Sequence, residues 1–382
     1  MVDLASVVRP GDGIIWGQAC AEPQTLVEAV VAQRATFPGA RVFMGASFSG
    51  TVKPEHADHL CLSSYCGSGS NRALWDAGVL DILAAPYSQF GALIRSRQIP
   101  ADVVMIQVSP PNAQGEYSLA LGVEYLEPAL RTARAIVAEV NDQVPWTHTE
   151  PLFHHKDFAL LVETSRVPVL VPYRIGELER QVASHAARFV PDQATIECGI
   201  GNLPNAVLSA LAERRNLRVH SGLLCDGMAE LAARGVITHA TGGVLMGTQS
   251  LFAWARDNPS VRLRSSDHTH GAATLARIER FVAINSAIEV DLTGQVNGEI
   301  ARGSYVGAVG GALDFIRAAN QSPAGVSLMV LPAARVVEKL SGPVSTPRSE
   351  AGVIVTEKGA ADLRGCSLRE RERRMRAISE NS

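Results

Sequence analysis

Nowhere does this chain stay apolar for the roughly 18 residues needed to cross a bilayer, so no membrane partner is expected. Its start, Met1-Val2-Asp3-Leu4, has no basic segment followed by an apolar run, and a signal peptide is not expected either. Charge of one sign is also missing. A net charge of −3 gives no footing for nucleic acid or an anionic membrane surface as a partner. The six cysteines, Cys20, Cys61, Cys66, Cys198, Cys225 and Cys366, include no C-x-x-C pair. In a chain of 382 residues that spacing points to reduced thiols and a cytoplasmic location. With 46% hydrophobic and 19% charged residues the composition is that of a globular protein, long enough for two α/β domains.

The most informative stretch runs from Ala194 to Gly227. A short β-branched strand stops at Gly199, a turn Gly199-Ile200-Gly201-Asn202 follows, and Pro204 falls in a first helical turn, where its missing N–H costs nothing. Free N–H groups and the positive end of the helix dipole make such a turn a seat for a phosphate or a polarised carbonyl. Ala206, Val207, Ala210 and Leu211 recur at helical spacing, Arg214, Arg215 and Asn216 close the helix, and a second strand is expected over about 217–224. This is one βαβ unit. Its ligand edge lies where the 199–202 turn meets Cys225-Asp226-Gly227. The third glycine of a dinucleotide fingerprint is absent, which sets the Rossmann reading aside.

Elsewhere apolar strands alternate with helices, the pattern of parallel sheets covered by helices. Strands are expected at 13–17, 41–45, 102–108 and 135–140, and helices at 24–33, 125–134 and 176–189. The Ser/Gly-rich stretch Cys61 to Ser70 reads as a loop, and the Arg/Glu-rich tail from Leu363 to Ile378 as a solvated helix. A boundary near residue 180, after the proline-flanked Val167 to Pro172, divides an N-terminal domain (1–180) from a C-terminal one (181–382).

Several motifs, in order along nearly the whole chain, carry a family resemblance. They include Val108-Ser109-Pro110-Pro111, Ala138-Glu139-Val140-Asn141, Gly199-Ile200-Gly201 with Pro204-Asn205-Ala206-Val207, and Leu245-Met246-Gly247-Thr248. Ile284-Asn285-Ser286-Ala287, Glu289-Val290-Asp291-Leu292, Gly310-Gly311 and Val355-Thr356-Glu357 continue the series. The chain resembles the acetyl-CoA hydrolase/transferase family, the class I CoA-transferases that include 4-hydroxybutyrate CoA-transferase. That resemblance implies two tandem open α/β domains of the CoA-transferase type and a homo-oligomer. It also implies coenzyme A as part of an acyl-CoA substrate, with a small carboxylic acid as second substrate. CoA is expected at Gly199, Ile200, Gly201, Asn202, Pro204, Gly222, Gly310 and Gly311.

The departures bear on mechanism. In the family a glutamate attacks the acyl-CoA and passes through an acyl anhydride to a glutamyl-CoA thioester. The matching segment here is His220-Ser221-Gly222, and glycine has no side chain to form either species. The family's Gln before the glycine turn is Glu197, and the Gln ending its Gly-x-Gly-Gly-Gln turn, part of the oxyanion-stabilising region, is Ala312. Three residues are candidates for the remaining chemistry. Glu197 is a relocated carboxylate or a hydrogen-bonding replacement for Gln. Cys225 is a thiolate nucleophile, its pKa lowered by the nearby helix N-terminus or by His220, or a small buried hydrophobe. Asp226 is expected to cap the next helix. Asp267-His268-Thr269-His270 reads as a cleft or surface loop, with no metal expected. The function that accounts for both scaffold and lost nucleophile is a hydrolase, decarboxylase or lyase of a CoA thioester. Alternatives are a CoA-transferase with a relocated nucleophile and a non-catalytic acyl-CoA-binding subunit.

Overall fold

The protein is described from a computed structural model covering residues 2–380. Contacts divide it into two compact units: the chain up to Val171 with Gly243–His268, and Pro172–Gly242 with the chain from Thr269. This differs from a single cut at 180, because residues 243–268 return to the first unit. Val171 N–H, for example, donates to the Gly247 carbonyl at 2.9 Å. A sequence boundary reads the chain only once and cannot register such a return.

The first unit is built on a seven-stranded parallel sheet. Its order is Leu80–Ile82, Leu60–Ser64, Ala40–Met44, Gly13–Trp16, Val103–Val108, Ala135–Asn141, Leu160–Thr164. Trp16, Ile14, Val42, Met44, Val103 and Met105 are buried in one apolar cluster, so the uninterrupted apolar runs of the sequence are central strands covered on both faces. The expected loop over 61–70 is corrected in its first part, where Leu60–Ser64 is a strand. Leu60, Leu62 and Ser64 alternate into the interior, and the serines masked a period-2 pattern.

In the second unit Ile237–Gly242, Leu217–His220, Thr195–Cys198, Phe281–Ser286, Val326–Val330 and Val353–Thr356 lie side by side in parallel, with Gly359–Asp362 closing antiparallel. Thr195–Cys198 leads by one connection to Leu217–His220 on one side, and Phe281–Ser286 flanks it on the other. The sheet therefore has a topological switch point there, and in open α/β sheets ligands occupy the crevice at the carboxyl ends beside such a point. The helix Ala312–Gln321 lies on Phe281–Ser286 and Val326–Val330, with Phe281, Ala283, Phe315 and Ala319 forming the contact. Among the described residues no helix is long and apolar enough to cross a membrane.

The strand expected over 217–224 is interrupted. It ends at His220, Ser221 N–H makes a last bond to the Thr241 carbonyl at 3.0 Å, and after a break at Gly222 only Leu223–Leu224 resumes. Asp226 is the first residue of the helix Asp226–Ala233 rather than its cap. Cys225 holds the cap position, with no capping hydrogen bond from its side chain.

Candidate active site

The glycine turn follows the strand Thr195–Cys198 directly. Gly201 has φ +124° and ψ 172°, a backbone open only to glycine, and it starts the helix Asn202–Ser209 with Pro204 in its first turn. Next to the turn stands Asn285, from the adjacent strand. Its Nδ2 donates to Glu197 at 2.7 Å, and a Cβ on Gly199 would come within 2.6 Å of its Oδ1. Gly199 must be glycine because Asn285 occupies that space. Ile200, at the tip, is 44% exposed, an apolar side chain held in water at the ligand edge.

Glu197 does not reach solvent. It is 2% exposed, and burial outweighs the Asn285 and backbone hydrogen bonds to push its carboxyl up to about 8. At neutral pH it is a neutral acid under the turn. Unfolded, the same group ionises near 4.5. Between these values the native state holds one more proton than the unfolded chain, so stability falls as pH rises through that window, and the penalty is complete above it. Glu197→Gln is therefore expected to melt above the wild type at pH 8, with the gap closing towards pH 4.5. Thermal unfolding measured across that range checks this. A gap that does not change with pH would show that Glu197 is not buried as an acid.

Cys225 is also closed off, at 0% exposure. The Cys198 thiol beside it is pushed well above its ordinary range, first by its hydrogen bond with Cys225 and then by burial. Ser221 ties the two strands: its Oγ accepts from the Cys198 N–H (3.3 Å) and donates to the Cys198 carbonyl (3.2 Å).

His220 lies at the end of its strand, with Nε2 2.9 Å from the Thr269 carbonyl. A carbonyl only accepts, so that nitrogen carries the proton and His220 anchors the 269–270 segment.

That segment delivers the residue sequence reasoning passed over. The His270 imidazole lies between Gly222 and Gly311. A Cβ on Gly311 would fall 2.3 Å from His270 Nε2, and one on Gly222 would fall 3.1 Å from Cε1 and 3.2 Å from Nε2. The ring rests on Phe315, with centroids 4.6 Å apart, and Nδ1 is 2.9 Å from Thr269 Oγ1. Burial, then the neighbouring His220, hold its pKa down to about 3, so the ring is neutral at physiological pH. Sequence spacing gave no signal for this. The only hint was the side chain missing at Gly222 and the one shortened at Ala312.

Asn285 thus touches Glu197 and Gly199, Ser221 and Cys225 touch Cys198, and His270 touches Gly222 and Gly311, while Glu197 and Cys225 lie buried beneath the strand ends rather than open to them. Asp267 pairs with Arg95 at 2.6 Å, and no group of His, Cys, Asp and Glu suited to hold a metal occurs among the described residues.

Two open α/β units, the second with a glycine turn and a helix start at the carboxyl ends of its strands, define the fold class, which by itself does not name an activity. The profile of the acetyl-CoA hydrolase/transferase N-terminal domain matches residues 1–169, and that of the C-terminal domain matches residues 247–382. A 4-hydroxybutyrate coenzyme A transferase of Clostridium kluyveri is 32% identical over 381 residues, covering 94% of this chain and 89% of that protein. An acetyl-CoA hydrolase of Candida albicans is 25% identical over 330 residues, covering 76% of this chain and 60% of that protein. The crystal structure of RipA from Yersinia pestis superposes with a TM-score of 0.93 at 28% identity, covering 99% of this chain and 92% of that one. The chain belongs to the acetyl-CoA hydrolase/transferase family, and is an enzyme of that family.

Proposed function

We propose that the protein hydrolyses a CoA thioester without forming a covalent bond to it. The observation that carries this reading is the filled space at Gly222. No side chain projects there, and the neutral His270 imidazole stands against that glycine and against Gly311. In this reading the thioester carbonyl lies in the crevice with CoA at the 199–204 turn and at Gly310-Gly311. His270 donates Nε2–H to the carbonyl oxygen, taking the place of the family's lost Gln as a neutral polarising group. In this reading the Thr269 hydroxyl, 2.9 Å from Nδ1, is the donor of that contact, which leaves the proton on Nε2. Water adds to the carbonyl carbon, the C–S bond breaks, and the proton lost by water ends on the departing thiolate, giving a carboxylic acid and free CoA.

Glu197, whose carboxyl is pushed up to about 8 and so is a neutral acid, and Cys225, fully buried beside Cys198, are both poor nucleophiles, which supports this over transfer through either residue. The Candida relative named as an acetyl-CoA hydrolase is consistent with water as the acceptor. Release of free CoA from a panel of acyl-CoAs, with and without added acetate, tests the proposal. Expected is turnover without acetate and no acetyl-CoA formed when acetate is present. Strict dependence on the carboxylate would return the protein to the transferases.

A further inference from the structure

The second unit has a cavity of about 1000 Å³ along its sheet. Its floor is unusual for a parallel sheet. Thr195, Arg218 and His239 lie abreast on three adjacent strands, and His220 and Thr241 lie abreast one step further along. All five line the cavity. The residues between them, Ile196, Val219 and Ala240, are buried, and of the three only Val219 also borders the cavity. Parallel strands covered on both faces read as continuous apolar runs, whereas this alternation marks a face built to stay open and polar.

Cations gather over that floor. Arg277 and Arg280, from the connection ahead of Phe281–Ser286, join Arg218 in lining the cavity, with Glu279 the one acid among them. Arg280 is oriented by Gln193, to whose Oε1 it donates at 2.8 Å. Among the described residues neither Arg218 nor Arg277 has a carboxylate partner for its guanidinium. Arginine is the side chain suited to bidentate capture of phosphate, and the volume admits a nucleotide. His220, one of the lining residues, also holds the Thr269 carbonyl and so the segment bearing His270.

We infer that this cavity binds a phosphate-bearing ligand of nucleotide size through Arg218, Arg277 and Arg280. Such chemistry has two sources, the phosphorylated nucleotide end of the CoA thioester or a separate nucleotide. The first rests on the function proposed above.

Titration of the full-length protein with adenosine 3′,5′-bisphosphate, with and without the paired change Arg218→Ala/Arg280→Ala, tests the site whether or not thioester turnover is found. Binding at least tenfold weaker in the variant, and weakening steeply with salt, is expected. The pair Arg218→Lys/Arg280→Lys keeps the charge and should fall between. Kinetics with acyl-CoA and with an acyl-pantetheine, which lacks the phosphates, distinguish the sources. A tenfold rise in KM for acyl-CoA alone assigns the cavity to the substrate's nucleotide end. An unchanged KM for both, with nucleotide binding still lost, assigns it to a separate nucleotide. No binding by the wild type, or equal binding by folded wild type and Ala variant, overturns the site. So does finding that the Ala variant only loses an oligomer, which would make this face a contact between copies.

Discussion

His270→Ala is expected to lower kcat/KM for thioester hydrolysis about 10²–10³-fold, the loss seen when one preorganised oxyanion donor is removed. The position of the ring is what gives the residue this weight. It sits between two glycine backbones and rests at a tilt on Phe315, contacts that restrict both its nitrogen and its plane. Because burial holds its pKa to about 3, the imidazole is a poor base but a serviceable neutral donor across the working range. His270→Gln, which keeps a neutral N–H donor, should recover part of the loss. The wild-type pH–rate profile should show no step between pH 5 and 8 that His270→Gln abolishes. A step near pH 6.5 lost in both variants, with Gln as inactive as Ala, would make His270 a base instead. A stability measurement belongs beside the kinetics, since Ala also deletes the contact with Phe315.

Gly222→Glu, which restores the family's nucleophile type, is expected to fail on its own. The new side chain would start 3.1–3.2 Å from the His270 ring, with Phe315 Cε2 at 3.7 Å behind it. Overpacking of this kind costs about 1–3 kcal/mol and forces the ring or the Ser221–Gly222 backbone aside. Hydrolysis should fall with it, since the donor is displaced. Gly222→Glu combined with His270→Ala opens the space, and only this double variant should form a glutamyl-CoA thioester that borohydride reduces. Equal thioester formation by the single variant would show that His270 is not the obstacle. Gly311→Ala probes the other wall. Its Cβ would lie 2.3 Å from His270 Nε2, and activity should drop with little change in the fold of the sheet.

Much of the scaffold was legible because it rests on local rules. Gly199, Gly201 and Pro204 announce a strand, a turn that only glycine can make and a helix start, and Thr195–Cys198 with Asn202–Ser209 follow that reading closely. The strand Leu60–Ser64 was missed because its serines resemble loop composition while its alternation does not. The break at Gly222 was missed because leucines continue the apolar run past it. The site was legible only as an absence, glycine at 222 and alanine at 312. His270 entered as part of a polar run with no bearing on either, because its approach depends on His220 holding the Thr269 carbonyl and on Phe315 arriving from another helix. Contacts between distant segments leave no period in a sequence. The burial of Glu197 was equally hidden, because a strand-end acid reads the same whether Asn285 encloses it or water does.

Intact-mass spectrometry of the protein during turnover of an acyl-CoA tests the central claim most directly. The account predicts free CoA and carboxylic acid accumulating while the protein keeps its unmodified mass at every time point, with and without borohydride. A protein mass raised by an acyl group or by CoA, localised to Glu197 or Cys225, would contradict it.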